Sequence, residues 1–342
     1  MAASIYDVAK RAGVSISTVS RILNNSANVN EKKAEAVREA MEYYQFVPNQ
    51  FGRGLAKQQS EMVGVYFPYQ PDSMFENAYT LELLKGIEKV LSACGYSMVL
   101  IGENLDYKSR KASEPKFLEF IRQKKIDGLI LSGVSDEDQL KRIWQCMDED
   151  YPIVYVGRKC HERGMNVYAQ LETYMVEMLQ VLYEKGHHRV LFYTSPLHRI
   201  YLDSILKRAK ETMGDLNIFP VEGADQDYPR EMVLADLKEY VVKKGCTAIC
   251  TSLMGTAQGI LNSCTELKLS VPDQVSILAV EHRLGAGRLF YPQISAFYVP
   301  AQDMGQGAAE LLVRHMEKRE LKETSREYIT KFIERESIRA MV

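Results

Sequence analysis

Short polar side chains crowd one stretch near the start of the chain, SISTVSRILN at residues 15–24. Its hydroxyl and amide side chains are those of Ser15, Ser17, Thr18, Ser20 and Asn24. Such residues are weak helix formers, but they suit contacts with phosphate oxygens or base edges at close approach. Arg21 is long enough to donate two hydrogen bonds to a guanine edge, and Ile16 can pack against a thymine methyl. The stretch favours nucleic-acid binding; the alternative is a surface helix whose hydroxyls bond only to water.

Three short helices are predicted to position this stretch. Ser4 and Asp7 are close to a capping box at the start of the first helix, and Gly13 supplies the turn after it. Ser15 can cap a second helix that runs to about Asn24, and Asn30 can cap a third over residues 31–46. The apolar residues expected to face inward at helical spacing are Ile5, Val8, Ala9, Ala12, Val19, Ile22, Leu23, Ala34, Val37, Met41 and Tyr44. Two helices joined by a glycine turn predict a helix-turn-helix, whose second helix enters the major groove.

A linker is predicted to follow these helices. Pro48 ends the third helix, because the residue before a proline avoids the helical conformation. The next residues, NQFGRGLAKQQSE, are polar and contain two glycines. We therefore divide the chain into an all-α helix-turn-helix domain at 1–47, a hinge helix or linker at 48–60, and a larger body at 61–342.

Composition narrows the possible functions. The chain has 342 residues, 46% of them apolar and 26% charged, as in ordinary globular proteins. No stretch approaches the roughly 18 apolar residues of a membrane span, and the start lacks the apolar run of a signal peptide. Six scattered cysteines without a CxxC pair fit a reducing compartment. We therefore expect a cytoplasmic protein with no membrane partner and no disulfide framework.

The sequence contains no pattern that predicts catalysis or a cofactor. It has no Ser-His-Asp order, no metal-ligand cluster and no phosphate loop. The charge is uneven, since residues 1–60 carry eight basic and five acidic residues, a net charge of +3, on a body of net charge −5. A basic head on an acidic body indicates, weakly, an anionic partner. We expect a non-enzymatic protein without metal or cofactor.

Strands and helices alternate along the body. The predicted strands are MVGVYFPY, YSMVLIGEN, GLILSG, YPIVYVGR, HRVLFYTS, NIFPVEG, TAICTS and VSILAV. Amphipathic helices separate them, and near-continuous apolar strands of this kind are typical of parallel sheets covered on both faces. The pattern predicts an α/β body of two doubly wound lobes with a ligand cleft between them. The C-terminal tail ends in a strand and lacks a heptad helix that would form a tetramer.

The motifs resemble one known family. YDVAKRAGVSISTVSRILNN, followed by VNEKKAEAVREAMEYYQFVPN and GRGLAKQQS, is similar to the DNA-binding head of the LacI/GalR family of bacterial transcription regulators. The body agrees with the family in order and spacing, including KGIEKVLSACGY, IDGLIL, GHHRVLFY and VPDQVSILAV. The resemblance implies two lobes like those of periplasmic binding proteins. It also implies a homodimer that binds double-stranded operator DNA and responds to a small-molecule effector.

The resemblance also implies residue roles in the head. Base contacts fall on Ile16, Ser17 and Arg21, and phosphate or supporting contacts on Tyr6, Ser15, Thr18, Ser20, Asn24 and Asn28. Residues 49–57 correspond to the family's hinge helix and contain Arg53, Leu55 and Lys57. Leu55 is placed to wedge into a minor-groove step and kink the duplex. Glycines on either side of Arg53 depart from the family, and each costs helix stability relative to alanine. We therefore expect the hinge to order only on DNA.

The cleft departs from the family's sugar-binding pattern. Members of the family usually carry pairs of acidic or amide residues at three places around the cleft. In this chain those places are occupied by Leu253-Met254, Gln170-Leu171 and Glu281-His282. The aspartate that usually precedes the arginine at position 158 is replaced by Gly157. The remaining candidate effector contacts are Tyr69, Tyr79, Arg158, Glu281 and His282. Sugar hydroxyls need many buried polar partners, and this cleft has lost several of them. Two interpretations of the cleft therefore stay open. One is a non-sugar effector, aromatic or anionic, held by stacking and by Arg158; the other is a degenerate, unused pocket.

The sequence therefore predicts a sequence-specific transcription regulator, most simply a repressor, controlled by a small molecule. The alternative from another class is a cytoplasmic small-molecule sensor built on the same lobes, with little or no specific DNA function. The sequence leaves open the operator, the identity of the effector, and whether that effector induces or co-represses.

Overall fold

The computed structural model describes residues 3–23, 30–46, 59–67, 74–75, 77–102, 115–133, 140–141, 144–145, 147–148, 150–157, 159, 164–194, 199–222 and 230–341. The chain divides into two compact units, one made of Met1–Glu61 with Lys124–Ile126, the other of the remaining residues. We call the first the head and the second the body, and describe each by itself.

Three helices form the head: α1 at Ile5–Ala12, α2 at Ile16–Leu23 and α3 at Glu31–Tyr44. Their buried apolar side chains meet in one small core, formed by Val8, Ala9, Val19, Val37 and Ala40. The predicted inward faces of all three helices are confirmed. The third helix is two residues shorter than predicted, because Gln45 adopts a left-handed conformation with φ of 47°.

The body begins with a first lobe built on parallel strands. Its strands are β1 (Met62–Phe67), β2 (Ser97–Gly102), β3 (Gly128–Ser132), β4 (Ile153–Gly157) and β5 (Met165–Tyr168), with helices α4 (Ala78–Ala93) and α5 (Lys116–Arg122). The second lobe holds α6 (Leu171–Glu184), β6 (Arg189–Thr194), α7 (Arg199–Thr212), β7 (Asn217–Glu222), α8 (Arg230–Asp236, continued as a π-helix over Leu237–Lys243), β8 (Ala248–Thr251), α9 (Met254–Glu266), β9 (Ser276–Glu281) and β10 (Ser295–Tyr298).

The C-terminal segment returns to both lobes in turn. It contains α10 (Ala301–Met316), β11 (Ser325–Glu327) and β12 (Lys331–Ile333). The first sheet has the order β11-β5-β4-β3-β1-β2 with all pairs parallel. The second has the order β12-β10-β9-β8-β6-β7, parallel except for the antiparallel pair β10–β12. The predicted two-lobed α/β body is thus confirmed.

Parallel strands place their carboxyl ends at one edge of each sheet. Strands β3, β4 and β9 are buried over almost their whole length, as the near-continuous apolar runs predicted. The sequence pattern did not predict β5, β10 or α10. Within the described ranges, every helix is too short or too polar to cross a lipid bilayer.

Two glycines bring α4 and α10 into close contact. A Cβ atom on Gly86 would overlap the carbonyl oxygen of Gln302, and one on Gly305 would overlap the carbonyl oxygen of Leu83. The backbones therefore approach one another at positions where any side chain would collide with main-chain atoms. Since α10 leads the chain from the second lobe back to the first, this contact fixes how the chain re-enters the first lobe.

We expect Gly86→Ala to lower the free energy of unfolding by about 1–2 kcal/mol, because an added methyl group overpacks a rigid contact. The matched control is Gly259→Ala in α9, where the added Cβ would lie 3.7 Å from Val233 Cγ2, an ordinary contact. That control should gain stability through better helix propensity. Urea unfolding of both variants measures the difference, and equal stabilities would show that the helices do not need the glycine.

Candidate nucleic-acid interface and ligand cleft

The start of α2 is held by hydroxyl groups that cap it. The Ser15 Oγ accepts a hydrogen bond from the Thr18 amide at 3.2 Å and lies 2.8 Å from both the Ser17 Oγ and the Thr18 Oγ1. The Ser15 carbonyl oxygen accepts from the amides of Thr18 and Val19. The predicted cap at Ser15 is therefore present.

One face of α2 is turned to solvent. Ile16 is 39% exposed, and Ser17 and Arg21 are exposed as well. Val19, on the opposite face, is fully buried in the head core. A helix that presents an apolar group and a hydroxyl in its first turn and an arginine in its last turn has the groups that direct base readout requires.

The flanking positions differ in accessibility. Thr18 and Ser20 are half-buried, whereas Ser15 is exposed. Tyr6 in α1 is 68% exposed, an unusual position for a large aromatic side chain of a small domain. A phenol in this position can donate to a phosphate oxygen.

The turn and the caps fix α1 against its neighbours. Gly13 adopts the left-handed conformation with φ of 64°, and its amide donates to the Ala9 carbonyl. At the other end of α1, the Ser4 amide and hydroxyl donate to the Asp7 carboxylate at 2.8 Å and 2.7 Å. These two bonds lower the pKa of the Asp7 carboxyl below its usual value.

An arginine ties α1 to α3. The Arg11 guanidinium carbon lies 3.4 Å from the centre of the Tyr43 ring, and the Tyr43 and Tyr44 rings meet edge to face at 5.0 Å. Sequence reasoning assigned no role to this cation–π contact, which joins residues 32 positions apart. It holds the frame on which α2 is presented.

In the body, two predicted cleft residues meet across the lobes. The rings of Tyr79, at the start of α4, and His282, just after β9, contact edge to face with centroids 5.2 Å apart. The Tyr79 hydroxyl is buried near the end of β4, where a Cβ atom on Gly157 would lie 3.6 Å from it. Burial raises the pKa of the Tyr79 phenol, with Ser132 at the end of β3 partly offsetting the rise. Gly157, where the family usually has aspartate, thus makes room for an aromatic hydroxyl.

Two further tyrosines lie nearby, Tyr174 beside Tyr79 and Tyr201 beside Tyr174. Burial raises the pKa of Tyr174, and the nearby hydroxyls of Tyr79 and Tyr201 raise it further. Tyr174 lies in the first turn of α6 and Tyr201 in the first turn of α7. The sequence analysis named neither tyrosine as a cleft residue. Each lies in the first turn of a helix that follows the carboxyl end of a strand, and this position could have identified them. Three phenols thus lie close together, and one of them, Tyr79, contacts the His282 ring.

Glu281, another predicted effector contact, is committed to partners inside the second lobe. Its side chain is 0% exposed and forms an ion pair with Arg335 at 2.8 Å. The amides of Gly285 and Gly287 donate to its two carboxylate oxygens at 3.1 Å and 2.9 Å. The prediction that Glu281 contacts an effector therefore needs correction, because its charge is already compensated within the second lobe.

The helix starts at the cleft also lack polar caps. The N-cap of α9 is Leu253 and that of α6 is Gln170, and neither side chain caps its helix. The Leu253 amide instead donates to the Thr251 hydroxyl at 3.2 Å. Leu253 contributes no polar side chain here, whereas Gln170 is an exposed amide that makes no capping bond.

Several predicted contacts fall outside the described residues, and their roles stay predictions. They are Asn24, Asn28, Arg53, Leu55, Lys57, Tyr69 and Arg158. The expected ordering of the hinge on DNA falls there too. Within the described ranges, no group of three or more His, Cys, Asp or Glu side chains could hold a metal ion.

Comparison with known proteins gives concordant matches over both units. Residues 4–49 match the family described as bacterial regulatory proteins, lacI family, and residues 179–338 match the periplasmic binding protein-like domain. The chain is 27% identical to the HTH-type transcriptional regulator RegA of Clostridium saccharobutylicum, covering 98% of this chain and 99% of the relative. It is 26% identical to the ribose operon repressor of Bacillus subtilis (strain 168), covering 98% and 99%.

The fold has solved counterparts. The lac repressor dimer bound to operator and the anti-inducer ONPF superposes with a TM-score of 0.81 at 19% identity, covering 99% of this chain and 100% of that one. The complex of the transcriptional regulator CelR with cellobiose superposes with a TM-score of 0.67 at 20% identity. The superposition covers 98% of this chain and 99% of that one. At these identities the likeness establishes the fold.

Proposed function

Because the chain belongs to the lacI family of bacterial regulatory proteins, we propose that it represses transcription by binding double-stranded operator DNA through α2. The observation that carries the proposal is the exposed face of α2, with Ile16, Ser17 and Arg21 presented on a helix capped by Ser15. Arg21 reads a guanine edge, Ser17 a neighbouring base edge, and Ile16 a thymine methyl.

The remaining head residues position the helix on the duplex. Tyr6, Ser15, Thr18 and Ser20 contact or support phosphate contacts, and Asn24 and Asn28 extend them beyond α2. Arg53 and Lys57 add phosphate contacts in the hinge, and Leu55 wedges into the minor groove. The DNA partner places this activity in the cytoplasm. The relatives named above are transcription regulators, and the proposal needs no catalytic step or cofactor.

Selection of duplexes from a random pool by the full-length protein tests this proposal. Two heads related by two-fold symmetry should enrich a pseudo-palindrome whose half-sites each match one α2 helix. A pool that stays unenriched after repeated rounds at moderate salt would contradict it, since non-specific phosphate binding does not select sequence.

A homodimer completes the proposal, and an exposed apolar segment suits its interface. Leu284, Leu289 and Tyr291, in the loop between β9 and β10, are 66%, 74% and 93% exposed. Three large apolar side chains within eight residues form the kind of patch that marks a protein–protein contact. A self-complementary patch of this kind joins two copies about a two-fold axis.

We expect the double substitution Leu289→Asp and Tyr291→Asp to weaken the dimer at least tenfold, because it places charges in a desolvated contact. The matched control is Ile329→Asp, which alters an apolar residue that is 80% exposed in a different loop. Sedimentation of the full-length protein over a concentration series measures both. A double variant that dimerises as well as the control would exclude this loop from the interface.

The proposed effector is a planar, non-sugar molecule in the cleft. The supporting observations are the Tyr79–His282 pair, the neighbouring Tyr174 and Tyr201, and the lack of polar caps at Leu253 and Gln170. Aromatic rings stack on a planar ligand, and Arg158 can pair with a carboxylate on it. Glu281 is a positioning residue in this scheme: it holds the loop that follows His282 and does not contact the effector.

A thermal-shift screen of the full-length protein tests the effector class. Aromatic carboxylates are expected to raise the melting temperature, because a ligand that binds only the folded state stabilises it. Tyr79→Ala should remove the shift, whereas Tyr6→Ala in the head should keep it. Tight binding of a hexose or disaccharide, without an aromatic hit, would contradict the proposal.

A further inference from the structure

A second cavity lies in the first lobe, at the end of the sheet away from the cleft. It has a volume of about 240 Å³, and Ile153 and Met165 line it. These residues begin β4 and β5, whereas Gly157, near Tyr79, ends β4. With about 3.3 Å per residue along a strand, more than 10 Å separates the two sites. The cavity is therefore separate from the proposed effector site.

Aromatic rings form the walls of this cavity. Trp144, Tyr151 and Tyr155 line it, and the Trp144 indole N–H donates to the Tyr155 hydroxyl at 2.6 Å. Tyr155 is buried in β4, while Trp144 and Tyr151 are partly exposed. The hydrogen bond holds the partly exposed Trp144 ring against Tyr155, which is 1% exposed.

The described lining of the cavity carries more acidic than basic side chains. Asp148 and Asp150 line it and are exposed. Burial raises the pKa of Tyr151, and the nearby charge of Asp127 raises it further, which places a third carboxylate close to this ring. Among the described lining residues, His315 is the one basic side chain.

We propose that this cavity binds a small organic cation, an alkylated ammonium of about the size of choline. A cation over the faces of Trp and Tyr rings is attracted by their negative π-surfaces, and the carboxylates add Coulomb attraction. The volume is below the range of about 300–1,000 Å³ typical of drug-sized ligands, which favours a compact ligand. This site lies beyond the proposed repressor function and adds a second ligand to the molecule.

The chain has a single tryptophan, Trp144, so intrinsic fluorescence reports on this cavity. Titration of the full-length protein with choline and with tetramethylammonium is expected to give a saturable change. The neutral isostere 3,3-dimethylbutan-1-ol should bind at least tenfold more weakly. Isothermal calorimetry on the same samples detects binding that leaves the fluorescence unchanged.

Variants locate the site. The double variant Asp148→Asn and Asp150→Asn is expected to weaken choline binding at least fivefold. Glu88→Gln, which alters an exposed acid on α4, should leave it unchanged. Circular dichroism checks that both variants stay folded. Three results overturn the proposal: no saturable signal by either method, equal binding of the neutral isostere, or unchanged choline binding in the double variant.

Discussion

Replacing Arg335 by alanine is expected to lower the free energy of unfolding by about 3–5 kcal/mol, the cost of leaving one partner of a buried ion pair alone. Its guanidinium is 5% exposed and pairs with Glu281, which is 0% exposed. Arg335 also donates through Nη1 to the Ile294 carbonyl, and its amide donates to the Ser295 hydroxyl at 2.8 Å. Among the described residues, the substitution leaves the buried carboxylate with two glycine amides as its partners.

Unfolding of the Arg335→Ala variant in guanidinium chloride, compared with unfolding of Arg319→Ala, measures this loss of stability. Arg319 pairs with Glu317 at 2.6 Å, but its side chain is 64% exposed, so its loss should cost less than about 1 kcal/mol. The double variant Arg335→Met with Glu281→Leu should recover much of the stability, because an apolar pair leaves no uncompensated charge. Equal losses in the two single variants would show that the pair is not desolvated.

Arg21→Ala is expected to weaken operator binding by about 1–3 kcal/mol, roughly 5- to 150-fold. The reason is the loss of two hydrogen bonds to one guanine, so the preference at that base position should relax while the rest of the site is retained. Fluorescence anisotropy with the selected operator and its single-base variants measures both effects.

Arg21→Lys separates base reading from charge. Lysine keeps the positive charge but cannot present the planar pair of donors. We therefore expect it to lose base preference while its salt dependence stays that of the wild type, because the number of phosphate contacts is unchanged. A wild-type base preference in either variant would show that Arg21 does not read a base.

The sequence predicted the three described helices of the head almost completely, because their determinants are local. The caps at Ser15 and Asn30 lie within three residues of the amides they bond, and Gly13 is the residue type that a left-handed turn needs. The apolar spacing identified Val8, Val19 and Val37 before any contact between the helices was known. Local chemistry of this kind can be read from one chain.

The sequence predicted the alternating strands and helices of the body, but it did not predict helix α10 or the short strands β5 and β10. Alternating strands and helices predicted two lobes, but α10 carries Gly305 and Gly307, which lower helix propensity. Its stability comes from packing on α4, a contact more than 200 residues away in sequence. Strands β5 and β10 have four residues each and escape a periodicity test.

Contacts between residues far apart in sequence also limited the prediction of the cleft. Sequence alone placed Glu281 after a strand and named it as a candidate effector contact. Its partner, Arg335, is 54 residues later and reaches it because β12 pairs with β10. Tyr79 and His282 were identified singly, and only the tertiary fold shows that their rings meet. Roles that depend on such distant partners are set by topology, which local patterns do not contain.

The ratio of two affinities of the full-length protein, measured at one fixed salt concentration, tests sequence-specific operator binding most directly. One affinity is for the selected operator and the other for a scrambled duplex of the same length and composition. We expect a ratio of about 1,000 or more, as for specific regulators at physiological salt. Equal affinities would contradict it and would leave a small-molecule sensor that binds DNA only through phosphate charge.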